Sequence, residues 1–185
     1  MKKIILIFIA LIFLQGCMYA VRYDETYRGK IVDAKTGEPI EGVVVLGTWS
    51  VLHPGLAGGS HSFYDARETV TDKNGGFEIH GMGLRILSNL EPMDVLVFKT
   101  GYTYEKVSMD PEYYYLHDWI KLEDGRLIIP LRKLTIEERK KRRSLPYISH
   151  EAPLEKVILM LKEIDKANIE QGLDTRGIWK GEKYE

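Results

Sequence analysis

Side chains able to do chemistry are few and scattered in this chain of 185 residues. Its five histidines are His53, His61, His80, His117 and His150. No two of them have the His-Glu-x-x-His spacing that sets two imidazoles on one helix face to hold zinc. There is no Gly-x-Ser-x-Gly elbow and no Ser-x-x-Lys pair, the usual surroundings of an activated serine. Ser60 and Ser62 flank His61, but adjacent residues seldom form a nucleophile and its base, so a hydrolase is the weakest reading. Asp72, Asn74 and Gly75 begin like a calcium loop. The positions that should supply the next oxygen and the bidentate carboxylate hold Gly76 and Gly83, so "DKNGG" is read as a hairpin turn with Asn-Gly at positive φ. The expectation is a non-catalytic protein with no cofactor and no resident metal.

One thiol remains, that of Cys17. It follows a basic start, Met1-Lys2-Lys3, and an apolar block from Ile4 to Leu14, the layout of an export signal. The block is about half the roughly 20 residues a spanning helix needs. With no second cysteine, no intrachain disulfide can form. The sequence around the thiol, Leu14-Gln15-Gly16-Cys17, resembles the lipobox of bacterial lipoproteins. That resemblance implies a diacylglyceryl group on Cys17, cleavage just before it, and anchoring to a membrane by the N-terminal lipid. Met18 after the cysteine implies, by the enterobacterial sorting pattern, the outer membrane facing the periplasm. Removing the signal leaves 24 basic against 27 acidic side chains, a weakly acidic balance that argues against nucleic acid as a partner.

The elements that would carry these residues fall into blocks. Residues 1–16 are the signal and 17–26 a short lipidated tether. Residues 27–133 are rich in β-branched and aromatic residues broken by glycines, and 134–185 are charged and helix-prone. "GKIVDA", "GVVVLGTW", "ETV", "FEIH", "DVLVF", "YEKVSM", "WIKL" and "RLIIPL" read as seven or eight short strands. In "FEIH", Phe77 and Ile79 share one face while Glu78 and His80 share the other. Gly37 supplies the positive φ of the first turn.

Three of these segments, "GKIVDAKTGEPIEGVVVLG", "TVTDKNGGFEI" and "VLVFKTGY", occur in an order that resembles the carboxypeptidase regulatory-like domain. The resemblance covers 27–133. It implies a mainly β fold, a seven-stranded Greek-key, transthyretin-like sandwich, and a non-catalytic module. The tail from Leu134 lies outside it and is read as a two-helix appendage.

Against that pattern the stretch Ser50–Asp65 is an insertion, read as a long loop. Its His53, His61, Phe63 and Tyr64, with Trp49 at its root, are the binding candidates; two histidines in one loop leave metal binding as the alternative function. In "PEYYYLHDW", consecutive tyrosines alternate faces, which leaves Tyr114 and Trp119 as weaker stacking candidates. Thr135 and Glu138 have capping-box spacing at the start of a first helix that runs into five basic residues, Arg139–Arg143. These are read as a solvated face, with anionic lipid as the alternative. A second helix over Leu154–Gln171 carries an apolar stripe of Leu154, Val157, Ile158, Leu161 and Ile164. The whole is expected to be a lipid-anchored cell-envelope protein that binds or assembles with another envelope protein or a glycan.

Overall fold

The computed structural model describes residues 21–55, 58–86, 88–110, 113, 121–123, 126–141 and 145–172. The expected signal, Cys17, Tyr114, Trp119 and the turn at Asp124-Gly125 lie outside the described residues. So do Arg142 and Arg143 of the basic run.

The fold is mainly β, with ten strands among the described residues: β1 Val21–Asp24, β2 Tyr27–Asp33, β3 Val44–His53, β4 Ser60–Val70, β5 Gly76–Ile79, β6 Gly83–Ile86, β7 Asp94–Phe98, β8 Glu105–Ser108, β9 Lys121–Glu123 and β10 Arg126–Leu131. Eight of them form two four-stranded sheets, ordered β5-β2-β10-β9 and β4-β3-β7-β8. The exception to antiparallel pairing is β2 with β10, which run parallel. Among the described residues β9 pairs with β10 only from Arg126 to Ile128, so Pro130, which has no N–H to give, lies beyond that ladder. Two helices follow, α1 Ile136–Lys141 and α2 Ile158–Glu170, the second preceded by a 3-10 turn at Leu154–Lys156.

The main core lies between the sheets, built from alternate residues such as Ile31, Val45, Trp49, Phe77, Ile79, Val95, Val97, Leu127 and Ile129. Gly29 is required there, since a Cβ would enter the Phe77 ring. Val44 and Leu46 on β3 and Leu96 and Phe98 on β7 point the other way and are buried too. They meet Ala152, Val157, Met160 and Ala167 in a second core. The runs "VVVL" and "VLVF" are continuous because this sheet is covered on both faces, by its partner sheet and by the C-terminal segment.

Three expectations change. The tether is not wholly irregular: β1 pairs with β6 as a separate two-stranded ribbon. Ser50–Asp65 is not a loop: β3 and β4 extend through it as one hairpin, paired from Ser50↔Phe63 to His53↔Ser60. A register shift after Trp49 marks a bulge that leaves Tyr64 unpaired, and this irregularity hid the period-two pattern in the sequence. The helix stripe is shortened at its start: Leu154 is exposed in the 3-10 turn, while Val157 is buried, Leu161 and Ile164 pack half-buried on the same core, and Met160 and Ala167 complete the seam.

Other details agree with the sequence. The Thr135 N–H donates to Glu138 Oε2 at 2.8 Å and the Glu138 N–H donates to Thr135 Oγ1 at 3.2 Å, a complete capping box. Gly37 takes φ 73°. At "DKNGG" Gly75 takes φ 72°, and Asp72 Oδ1 accepts the N–H groups of Asn74 and Gly76 at 2.8 Å each. The carboxylate is thus engaged in closing the turn.

No side chain at the α2 N-cap bonds to the helix. The first-turn amides are met from the sheet: Glu68 of β4 accepts from Leu159 at 2.9 Å and from Met160 at 2.7 Å. Burial raises the Glu68 pKa above the ordinary carboxylate value, outweighing these two bonds, which pull it down. A raised folded value means that folding favours the protonated form. Its contribution is complete below pH 4.5 and is lost as pH rises through the folded pKa. Glu68→Gln removes that titration, so the stability of the native chain relative to the variant should fall as pH rises from 4.5 through the raised folded value. Urea midpoints taken across this range measure it; a constant difference would refute the assignment.

Candidate functional site

The outer face of the β4-β3-β7-β8 sheet is only partly covered by α2. Beyond the helix it forms an open groove of about 520 Å³, within the range of ligand pockets. Its floor is Leu46, Thr48 and Ser50 of β3 and Leu96 of β7. One wall is the extended hairpin, contributing His61, Ser62 and Phe63. The other is the segment from Tyr147 to Ala152. β-sheet alternation explains the floor: Leu46, Thr48 and Ser50 all face away from the sandwich core, and they become more polar where helix cover ends.

The polar groups of the groove are held in place. Lys106 pairs with Asp94 at 2.9 Å. Glu151 accepts the Phe63 N–H at 3.1 Å, joining the two walls. His61 Nδ1 lies 2.7 Å from Glu91 Oε2. Tyr147, at 78% exposure, stands over the rim, its hydroxyl 3.3 Å from His150 Nδ1. An aromatic rim, a floor of two leucines and two hydroxyl side chains, and a charge pair suit a ligand with an apolar face and hydrogen-bonding edges.

The five residues singled out from the sequence part company here. His61 and Phe63 line the groove. Trp49 does not offer a surface at all, because it is fully buried in the sandwich core and its indole N–H donates to Asp24 at 3.0 Å. Tyr64, displaced by the bulge, packs on Arg85, whose guanidinium lies 4.7 Å from the ring centre. His53 bonds to Ser62 at 2.8 Å. The register sets Leu52 opposite His61 and His53 opposite Ser60, so His53 and His61 stand on opposite faces of the hairpin. They cannot close on one ion, and among the described residues no three His, Cys, Asp or Glu side chains are grouped to hold a metal. Thr48, Ser50, Asp94, Lys106 and Tyr147 were missed because they come from three strands and a connection distant in sequence.

A second polar cluster fixes the β1–β6 ribbon to the sandwich. Asp24, 6% exposed, accepts from Trp49, from the Met82 N–H at 2.6 Å and from the Tyr27 hydroxyl. Burial first, then the hydrogen bond to Asp24 and its charge, push the Tyr27 phenol well above its usual pKa. Arg67 lies over Trp49 at 5.4 Å and donates to the carbonyls of His80 and Gly81. Every strong donor here is satisfied internally, so this cluster is structural.

No family model and no curated protein matches the chain. Among solved structures, a streptococcal ancillary pilin is similar over 60% of this chain and 30% of its own, with 10% identity and a TM-score of 0.33. The 3-chlorocatechol 1,2-dioxygenase from Rhodococcus opacus 1CP is similar over 60% of this chain and 61% of its own, with 16% identity and a TM-score of 0.34. The chain thus spans less than two thirds of either neighbour.

Proposed function

We propose that this protein is a lipid-anchored component of a bacterial cell envelope, a non-catalytic module of the carboxypeptidase regulatory-like kind. It holds a peptide or glycan segment of another envelope component in the groove beside Tyr147. The observation that carries the reading is Leu14-Gln15-Gly16-Cys17 placed after a short apolar block and four residues before the first strand. The groove supports the second half: its side chains offer apolar area and hydrogen bonds. Among the described residues no helix is long and apolar enough to cross a membrane, so attachment in this reading falls to the lipid on Cys17.

Growth with a labelled fatty acid tests the anchor. The native chain should take up label, and Cys17→Ser should take up none and retain its signal. An unlabelled native chain would refute the lipid anchor. Ser50→Trp, which fills the groove floor without touching either core, tests the binding half. It should abolish crosslinking to the envelope component captured by the native chain while leaving the urea midpoint within about 0.5 kcal/mol, the ordinary range for surface changes. Undiminished crosslinking would move the recognition surface elsewhere.

A further inference from the structure

The β1–β6 ribbon has its polarity reversed. In its register Arg22 pairs with Arg85 and Asp24 with Gly83 on one face, and Tyr23 pairs with Leu84 on the other, the face that Ile86 shares. The polar face is turned toward the protein, where Asp24 is buried and bonded as described above. The apolar face is turned outward: Tyr23 is 66% exposed, Leu84 62% and Ile86 64%. Other exposed apolar residues, such as Ile136, Tyr147 and Ile169, are spread over separate elements. On the polar face Asp24 is buried, Arg85 half-buried and Arg22 exposed, whereas Tyr23, Leu84 and Ile86 all stand in the open, and an exposed apolar cluster of this kind is made to meet something apolar.

We propose that this outer face rests in the headgroup–acyl boundary of the bilayer that holds the Cys17 lipid, so that the ribbon orients the sandwich on the membrane. The proposal rests on the lipid-anchor reading. Its geometric basis is chain length. From Cys17 to the first ribbon residue, Val21, there are four residue steps, and at about 3.8 Å per step the separation cannot exceed about 15 Å. The apolar face is therefore held within a short reach of the acyl chains, whatever path the intervening residues take. Its composition suits that depth, a tyrosine for the headgroup level and leucine and isoleucine for the acyl boundary. Asp24 makes the device rigid, since its bonds to Tyr27, Trp49 and Met82 tie the ribbon to the sandwich.

The test uses the full acylated chain in phosphatidylethanolamine–phosphatidylglycerol vesicles. The acylated Cys17 is not a free thiol, so an environment-sensitive fluorophore can be placed on Leu84→Cys or, as control, on Lys35→Cys in the turn at the far end of β2. Both sites are exposed, and urea midpoints equal to the native value establish that each variant folds. Lipids carrying a nitroxide at a shallow acyl position should quench the fluorophore at position 84 several-fold more than at 35, with blue-shifted emission. Equal quenching at the two positions in a chain that carries fatty acid would overturn the ribbon contact and leave the anchor standing. A blue shift at 84 without quenching would also overturn it, in favour of a second copy or a protein partner covering the ribbon. A native chain without fatty acid would overturn the anchor and the contact together.

Discussion

Met160→Asp should release α2 from the sheet. Met160 is fully buried in the seam between the helix and the outer face of β3 and β7, with Val157 and Ala167 beside it and Val44, Leu46, Leu96 and Phe98 in the same core. Met160→Ala would already cost about 2–5 kcal/mol through lost transfer energy and the cavity left behind. An aspartate adds an unpaired charge where neither water nor a cation is at hand, so the cheaper state is one with the helix detached. Undocking would also break the bonds between helix and sheet, those that Glu68 accepts from the Leu159 and Met160 N–H groups and that of the Thr100 N–H to mid-helix Glu163 at 2.7 Å. Hydrogen exchange of the α2 amides should accelerate by orders of magnitude in the variant, and the midpoint of thermal unfolding should drop. Unchanged protection of α2 would show that the seam is not what holds it. Leu161, on the sequence-derived stripe, is only half-buried and would report the docking less sharply.

Asp24→Ala should be comparably damaging, by a different route. Three donors converge on that carboxylate, and truncation leaves the Trp49 indole N–H, the Met82 N–H and the Tyr27 hydroxyl without an acceptor. Each unsatisfied buried donor costs about 1–3 kcal/mol, less whatever water recovers by entering. Asp24→Asn should be milder: the amide oxygen can replace Oδ2, and the Tyr27 hydroxyl can rotate to accept from the amide nitrogen. Tyr27 supplies a second readout. Its raised folded pKa means that its contribution to stability is intact below the ordinary phenol value of 10.0 and is lost as pH rises through the folded value. In Asp24→Ala the hydrogen bond and the negative charge are gone and only burial remains. The phenol should therefore ionise at lower pH than in the native chain, visible as phenolate absorbance. Denaturant midpoints that do not order as native, Asn, Ala would count against the cluster as a structural tie.

The proposed capture in the groove depends on the same packing. The groove has its second wall only because residues 145–152 are drawn over the sheet by α2 behind them. Met160→Asp should therefore weaken capture although Met160 lies outside the groove, whereas Ser50→Trp blocks it with the fold intact.

The sequence by itself determined the mainly β architecture and most of the strands, because these depend on local order. Period two in "FEIH", the capping box at Thr135 and Glu138 and the glycine at Gly37 all act over a few residues, and each is found as expected. The unbroken runs "VVVL" and "VLVF" were legible as strands, and the structure accounts for their lack of alternation by covering that sheet on both faces. What only the tertiary structure decided was which side chains meet. Trp49 has the same composition signal whether it lines a site or fills a core; its place was fixed by Asp24 arriving from a strand 25 residues earlier. His53 and His61 look like neighbours in a loop, yet one bulge at Tyr64 and the pleat of the hairpin put them back to back. The ribbon is assembled from strands paired across 59 to 65 residues, from Asp24 with Gly83 to Val21 with Ile86, and the groove floor from β3 and β7, paired across 46 to 54. Such contacts are chosen by packing energy summed over the whole fold, and no local pattern encodes them.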